Sequence, residues 1–134
     1  MKVVFDTNVY ISAFGVSGSK SQEVFLLASR EKINLFTSPA ILAETANVLR
    51  KKFEVPDENI EAVIKEIGHL SKVIKPHLSI RLLEDEPDNR ILECAAEAKA
   101  DFIVTGDKHL RCLKKYQGAK IVSVSEFLKQ PIVY

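Results

Sequence analysis

Asp6, Glu44, Asp88 and Asp107 are carboxylates placed where charge is costly, each just after an apolar strand-like run or along the apolar stripe of a segment with helical periodicity. Asp6 ends the run Val3-Val4-Phe5, and Asp107 follows Phe102-Ile103-Val104 through Thr105-Gly106. Glu44 lies three residues after Ile41 and four before Val48, at the border of that helix's apolar face; Asp88 precedes Ile91 and Leu92 by three and four residues. Four acids brought together repel one another by several kcal/mol unless a cation neutralises them. All-oxygen ligation selects a hard ion, magnesium or manganese, which keeps several waters and needs only a few carboxylates. Such an ion lowers the pKa of a bound water, aligns it with a phosphate and stabilises charge on the leaving oxygen. The chemistry the four acids point to is phosphodiester hydrolysis.

Each acid also has an ordinary structural use. Asp6 can cap a turn containing Thr7 and Asn8, and Asp107 can cap a helix beginning at Lys108. Glu44 can form a salt bridge or extend its head to water, and Asp88 can stabilise the helix dipole from the first turn. Asp85 and Glu86, preceding a proline, read as a cap and a solvated charge.

The elements that must position these acids follow from hydrophobic patterning. Brief apolar runs at 3–5, 33–37, 102–105 and 120–122 predict buried strands, with a weaker one at 73–75 before Pro76. Ser38-Pro39 and Glu86-Pro87 each open a helix with proline in its first turn; the first extends to about residue 53, the second to about 100. Further helices are expected over 22–30, 57–70, 107–115 and 125–129, with an exposed turn at 15–19. Strands alternating with helices predict an α/β fold with a parallel sheet covered on both faces. If the strands ending at Asp6 and Asp107 are neighbours, their carboxylates converge at the sheet's carboxyl edge, where open parallel sheets bind ligands.

Composition narrows the alternatives. The 134 residues, 46% hydrophobic and 28% charged, suit one domain over 1–134 with one core. No apolar run approaches the ~20 residues of a membrane span, and Asp6 interrupts the start before a signal-peptide core forms, so the expectation is a cytoplasmic protein with no membrane association. Cys94 and Cys112 lack metal-ligand or redox spacing and read as small hydrophobes. A net charge of +1 leaves only a local basic surface for any polyanion.

Asp6-Thr7-Asn8, Glu44 within Ser38-Pro-Ala-Ile-Leu-Ala-Glu44, Asp85-Glu-Pro-Asp88-Asn89-Arg-Ile-Leu-Glu-Cys-Ala, and Thr105-Gly106-Asp107-Lys-His-Leu occur in that order. Together, from Val3 to about Leu128, they resemble a PIN domain, and among PIN domains the small stand-alone VapC-like members described as toxin components of toxin–antitoxin pairs. The resemblance implies a three-layer α/β/α sandwich with a five-stranded parallel sheet and a magnesium- or manganese-dependent ribonuclease acting on RNA. Carried over by position, Asp6, Glu44, Asp88 and Asp107 match the acidic metal-site residues, and Asn8 and Thr105 the polar residues supporting them. A homodimer and an antitoxin partner are likewise implied. The stretch 24–27 and the end 131–134 are each either a pairing surface or part of the core.

Lys108, Arg111 and Lys115 recur at helical spacing from the proposed site onward, so they either hold the scissile strand's phosphates or form a solvated charged face. Arg50, Lys51 and Lys52 suit a helix C-terminus without a ligand. His69, His77 and His109 accompany no nucleophile motif; only His109 is expected near the acids. A haloacid-dehalogenase-type phosphatase needs a second Asp two residues after the first, where this chain has Asn8, and a receiver domain carries its phosphoacceptor Asp deeper in the chain. The competing reading from another class is a non-catalytic nucleic-acid- or protein-binding module on the same fold.

Overall fold

The computed structural model describes residues 1–131. In chain order the elements are β1 (Lys2–Phe5), α1 (Thr7–Gly15), α2 (Lys20–Ser29), β2 (Asn34–Thr37), α3 (Pro39–Phe53), α4 (Asp57–Leu70), β3 (Ser71–Val73), α5 (Glu86–Ala98), β4 (Phe102–Val104), α6 (Lys108–Cys112), β5 (Lys115–Tyr116), β6 (Ala119–Val122) and α7 (Val124–Leu128). The sheet order is β3-β2-β1-β4-β6-β5, with every pairing parallel except β5 with β6. The expected five parallel strands are therefore present, and the count is corrected to six by a two-residue antiparallel edge strand.

Val3, Val4 and Phe5 are fully buried, as are Ile103 and Val104. Successive strand residues face opposite sides of a sheet, so burial of consecutive residues means that helices cover both faces of β1 and β4. Helix α5 packs on β1, β2 and β4, while α1 packs on α2 and α3. Phe5, Tyr10, Phe25, Phe102 and Phe127 supply much of the core, with ring centroids 5.3 to 6.1 Å apart at tilted or edge-on angles.

Local capping explains the helix starts. Ser38 Oγ accepts from the Ile41 amide at 3.3 Å with Pro39 in the first turn, and Ser123 with Glu126 forms a complete capping box on α7. Ser19 caps α2 by accepting from Gln22 N, so this helix starts two residues earlier than expected. The terminal strand of the β2 side runs over 71–73, two residues before the expected 73–75.

Two differences from the sequence reading bear on the site. Residues 7–15 form a helix that patterning did not predict; Val9, Tyr10 and Ala13 are its buried face. Helix α6 also ends at Cys112 rather than continuing to 115, because Lys114 turns left-handed at φ 60° and the chain enters the β5–β6 hairpin through Gln117 and Gly118, φ 45° and 88°. In the stretch 24–27, Val24, Phe25 and Leu27 are core and Leu26 is exposed; of the end 131–134, residues 132–134 lie outside the described residues. No helix among the described residues is long and apolar enough to cross a membrane.

Candidate active site

The chain leaves β1 toward β2 and β3 on one side, then crosses to β4 on β1's other side, so the topological switch falls between β1 and β4. Each of these strands is extended by one backbone bond: Asp6 N donates to Val104 O at 3.0 Å, and Thr105 N donates to Val122 O at 2.9 Å. The side chains of Asp6 and Thr105 therefore meet at the carboxyl edge. Thr105 Oγ1 donates to Asp6 Oδ2 at 2.7 Å and accepts from the Asp107 backbone N–H at 2.9 Å.

Asp107 is the N-cap of α6, one of its two readings from sequence, and it also lies within electrostatic reach of the other acids. Its Oδ1 caps α6, accepting from His109 N at 2.7 Å and Leu110 N at 3.2 Å, while its charge reaches Asp6 and Asp88. Asp88, in the first turn of α5, is buried, and its Oδ2 has no hydrogen-bond partner among the described residues. Burial and the charges of Asp107, Asp85 and Asp6 push the Asp88 carboxyl up to about 7, against a smaller opposing pull from His109. Asp6 is raised chiefly by burial, and Asp107 and Asp85 add to the rise; hydrogen bonds from Thr105 and the Thr7 backbone pull the other way.

Asp85 occupies the N-cap position of α5, as its place before the helix predicts, but its side chain makes no capping bond. It lines a cleft of about 310 Å³ with Leu82, Leu83, Glu84, Asp88 and His109, and its charge acts on both buried acids. Its spacing of three from Asp88 was the available signal, since residues three apart share a helix face. Glu86 is a surface charge, paired with Arg90 at 3.3 Å.

The other wall of this cleft is a strap tied down by α5. Asn89, fully buried, accepts from Leu83 N and donates to Leu83 O, both at 2.8 Å; Glu93 accepts from Ile80 N at 2.8 Å, and Arg90 donates to Ile80 O at 3.1 Å. Sequence reasoning assigned no role to Asn89.

Two expected site residues are not drawn in. Glu44 is half-buried on α3, makes no hydrogen bond or ion pair among the described residues, and is not among the charges shifting Asp6 or Asp88. Asn8 is exposed on α1 and lines a separate apolar groove with Phe14, Leu49 and Phe53, so its amide does not orient Asp6. The basic face is corrected as well: Lys115 belongs to β5, and Lys114 and Lys120 join Lys108 and Arg111 instead.

Among the described residues no three His, Cys, Asp or Glu side chains close around a point that would hold an ion. What fits a divalent cation is the chemistry of the donors: oxygen only, mutually repelling, with one buried carboxylate oxygen left without a partner.

The PIN domain family model matches residues 2–109, a span containing all four acids. An uncharacterised protein of Methanocaldococcus jannaschii, MJ1680, is 34% identical over 118 residues, covering 85% of this chain and 76% of that protein. VapBC2 from Rickettsia felis, crystallised with a DNA fragment from its promoter, superposes with a TM-score of 0.67 at 15% identity, covering 92% of this chain and 98% of that one. PAE2754 from Pyrobaculum aerophilum superposes at 0.58 with 19% identity, covering 95% and 85%. These two likenesses show the shared fold; with the match over 2–109 they establish that the chain belongs to the PIN domain family.

Proposed function

We propose that this protein is a divalent-metal-dependent endoribonuclease, with Asp6, Asp88 and Asp107 holding magnesium or manganese at the β1–β4 switch point and Glu44 joining them once the ion is present. The observation that carries the reading is Asp88: a buried carboxylate with an unpartnered oxygen, facing the charges of Asp6, Asp85 and Asp107. A cation bound there supplies a water of lowered pKa and neutralises charge on the phosphate. The chain's own contributions are distinct. Thr105 fixes Asp6, Asp107 ties the site to the start of α6, and the Leu82–Asp85 strap forms one wall of the cleft.

On the same reading the protein is the toxin of a toxin–antitoxin pair, with an antitoxin partner, a homodimeric state and a cytoplasmic setting; the fold shared with a chain of the Rickettsia felis VapBC2 assembly supports the toxin role and the partner. Labelled RNA incubated with purified protein tests the activity. Cleavage should require magnesium or manganese, stop with chelator, and be lost in Asp6→Asn. Metal-independent cutting would falsify the mechanism.

Two observations favour a second reading, a non-catalytic binding module: the Glu44 charge acts on neither Asp6 nor Asp88, and among the described residues no three acids enclose an ion. Metal titrating into the site without cutting of any RNA or single-stranded DNA would select it.

A further inference from the structure

Around residue 109, where the family match ends, the chain assembles a second charged feature. The left-handed turn at Lys114 returns the chain antiparallel along β6, bringing Lys120 to the same side as α6. Lys108, Arg111, Lys114 and Lys120 then line one open cleft of about 650 Å³, with Ile121 and Val122 between them. All four cations are exposed. Arg111 pairs with Glu126 at 3.4 Å; the three lysines make no ion pair among the described residues. In a chain of net charge +1 this is a local excess, placed directly after Asp107 in sequence, and helix α6 contributes Lys108 and Arg111 to this cleft and His109 to the cleft lined by Asp85 and Asp88.

An anionic strand approaching Asp6, Asp85, Asp88 and Asp107 meets repulsion, which an adjoining cationic surface offsets within the screening length of about 8 Å. Among the described residues the cleft has no aromatic and no amide side chain, so what it offers is mainly cationic charge beside a short apolar wall. We propose that the cleft between α6 and β6 holds the backbone phosphates of single-stranded RNA as it enters or leaves the acidic site, contributing affinity that is independent of sequence. The identification of the strand as RNA rests on the ribonuclease reading; the phosphate-holding role of the cleft is measured separately.

The experiment uses the cleavage-blocked Asp6→Asn protein, and binding of single-stranded RNA oligonucleotides of two unrelated sequences is followed from 50 to 300 mM salt. Adding Lys114→Gln and Lys120→Gln should flatten log K against log salt by about 1.4, or ~0.7 for each lost phosphate contact on a single strand, and weaken both sequences alike by roughly five- to twenty-fold near 0.1 M salt. A control pair, Lys51→Gln with Lys52→Gln at the far end of α3, should leave slope and affinity in place. Circular dichroism confirms that each variant is folded. An unchanged slope in the cleft variant, or an equal loss in the control, overturns the proposal. So does binding of poly-glutamate with the same lysine dependence in a protein that does not bind RNA, which assigns the cleft to a protein partner. Loss of nuclease activity in the parent protein's own assay, with the salt dependence as stated, sinks the catalytic reading and leaves the cleft standing.

Discussion

The Thr105 hydroxyl donates to Asp6 Oδ2 at 2.7 Å across 99 positions of sequence, joining the carboxyl ends of two adjacent parallel strands. An ionised carboxylate can only accept, so the hydroxyl proton is directed at Asp6, while a lone pair of the same oxygen accepts from the Asp107 amide.

Thr105→Val keeps the shape and removes both bonds, leaving a buried carboxylate oxygen and an amide unsatisfied. Urea unfolding should show a loss of about 1–3 kcal/mol, with Thr105→Ser recovering most of it. The same change removes an interaction that lowers the Asp6 pKa, so Asp6 should titrate higher still in the valine variant. Equal stability of the valine and wild-type proteins would show that the bond has no energetic role.

Asp88 predicts how stability varies with pH. Its folded pKa, up to about 7, lies above the unfolded value near ~3.9, so the metal-free folded state holds the proton more tightly. That contribution is complete below about pH 4 and is lost as pH rises through about 7. Asp88→Asn stays neutral at every pH and lacks the decline. The urea midpoint of the variant relative to wild type should therefore rise between pH 5 and pH 8 in chelator. A pH-independent difference would mean that Asp88 is not held neutral in the folded protein.

Asn89 predicts a mechanical effect beside the acids. Alanine there releases the Leu83 N–H and C=O from two 2.8 Å bonds and opens a hole in a fully buried position. A destabilisation of about 1–3 kcal/mol is expected. Hydrogen exchange at the Leu83 amide should accelerate by more than the global loss accounts for, since the strap is freed locally. Protection that changes only in step with global stability would show that the strap is held by its other ties, at Glu93 and Arg90.

These relationships divide between what short-range chemistry writes into the sequence and what only the assembled fold supplies. Helices α3 and α5 were legible because Ser38-Pro39 and Glu86-Pro87 mark their starts locally. Helix α1 was not. Its Asp6 N-cap makes no side-chain capping bond, and Val9, Tyr10, Ile11 and Phe14 carry β-branched or aromatic preferences that tertiary packing overrides. The convergence of Asp6 with Asp107 followed from strand-end positions once β1 and β4 were neighbours. The bond from Thr105 to Asp6, the strap held by Asn89 and the inclusion of Asp85 depend on side-chain directions that spacing leaves undetermined.

Metal addition should stabilise the protein through these same acids. Magnesium or manganese at millimolar concentration, above pH 7 where Asp88 is mostly ionised, should raise the unfolding temperature; binding at a hundredfold over the dissociation constant adds about 2.7 kcal/mol. The rise should shrink in Asp6→Asn, Asp88→Asn and Asp107→Asn taken singly, and at pH 5, where protons compete for Asp88. Equal shifts in wild type and all three variants would place the bound ion elsewhere.

Asp85 and Glu44 give opposite predictions for the metal-free site, and comparing them tests which acids share it. The Asp85 charge helps raise both Asp6 and Asp88, whereas Glu44 acts on neither. Asp85→Asn should lower the Asp88 titration midpoint, followed by carboxyl carbon NMR in chelator, because one repelling neighbour is removed. Glu44→Gln should leave that midpoint where it is. With magnesium present the order should reverse for affinity: Glu44→Gln weakens binding if the α3 carboxylate joins the ion, while Asp85→Asn has the smaller effect. A downward shift from Glu44→Gln in the metal-free protein would place Glu44 within the acid cluster before any ion arrives, contrary to its separation in the structure.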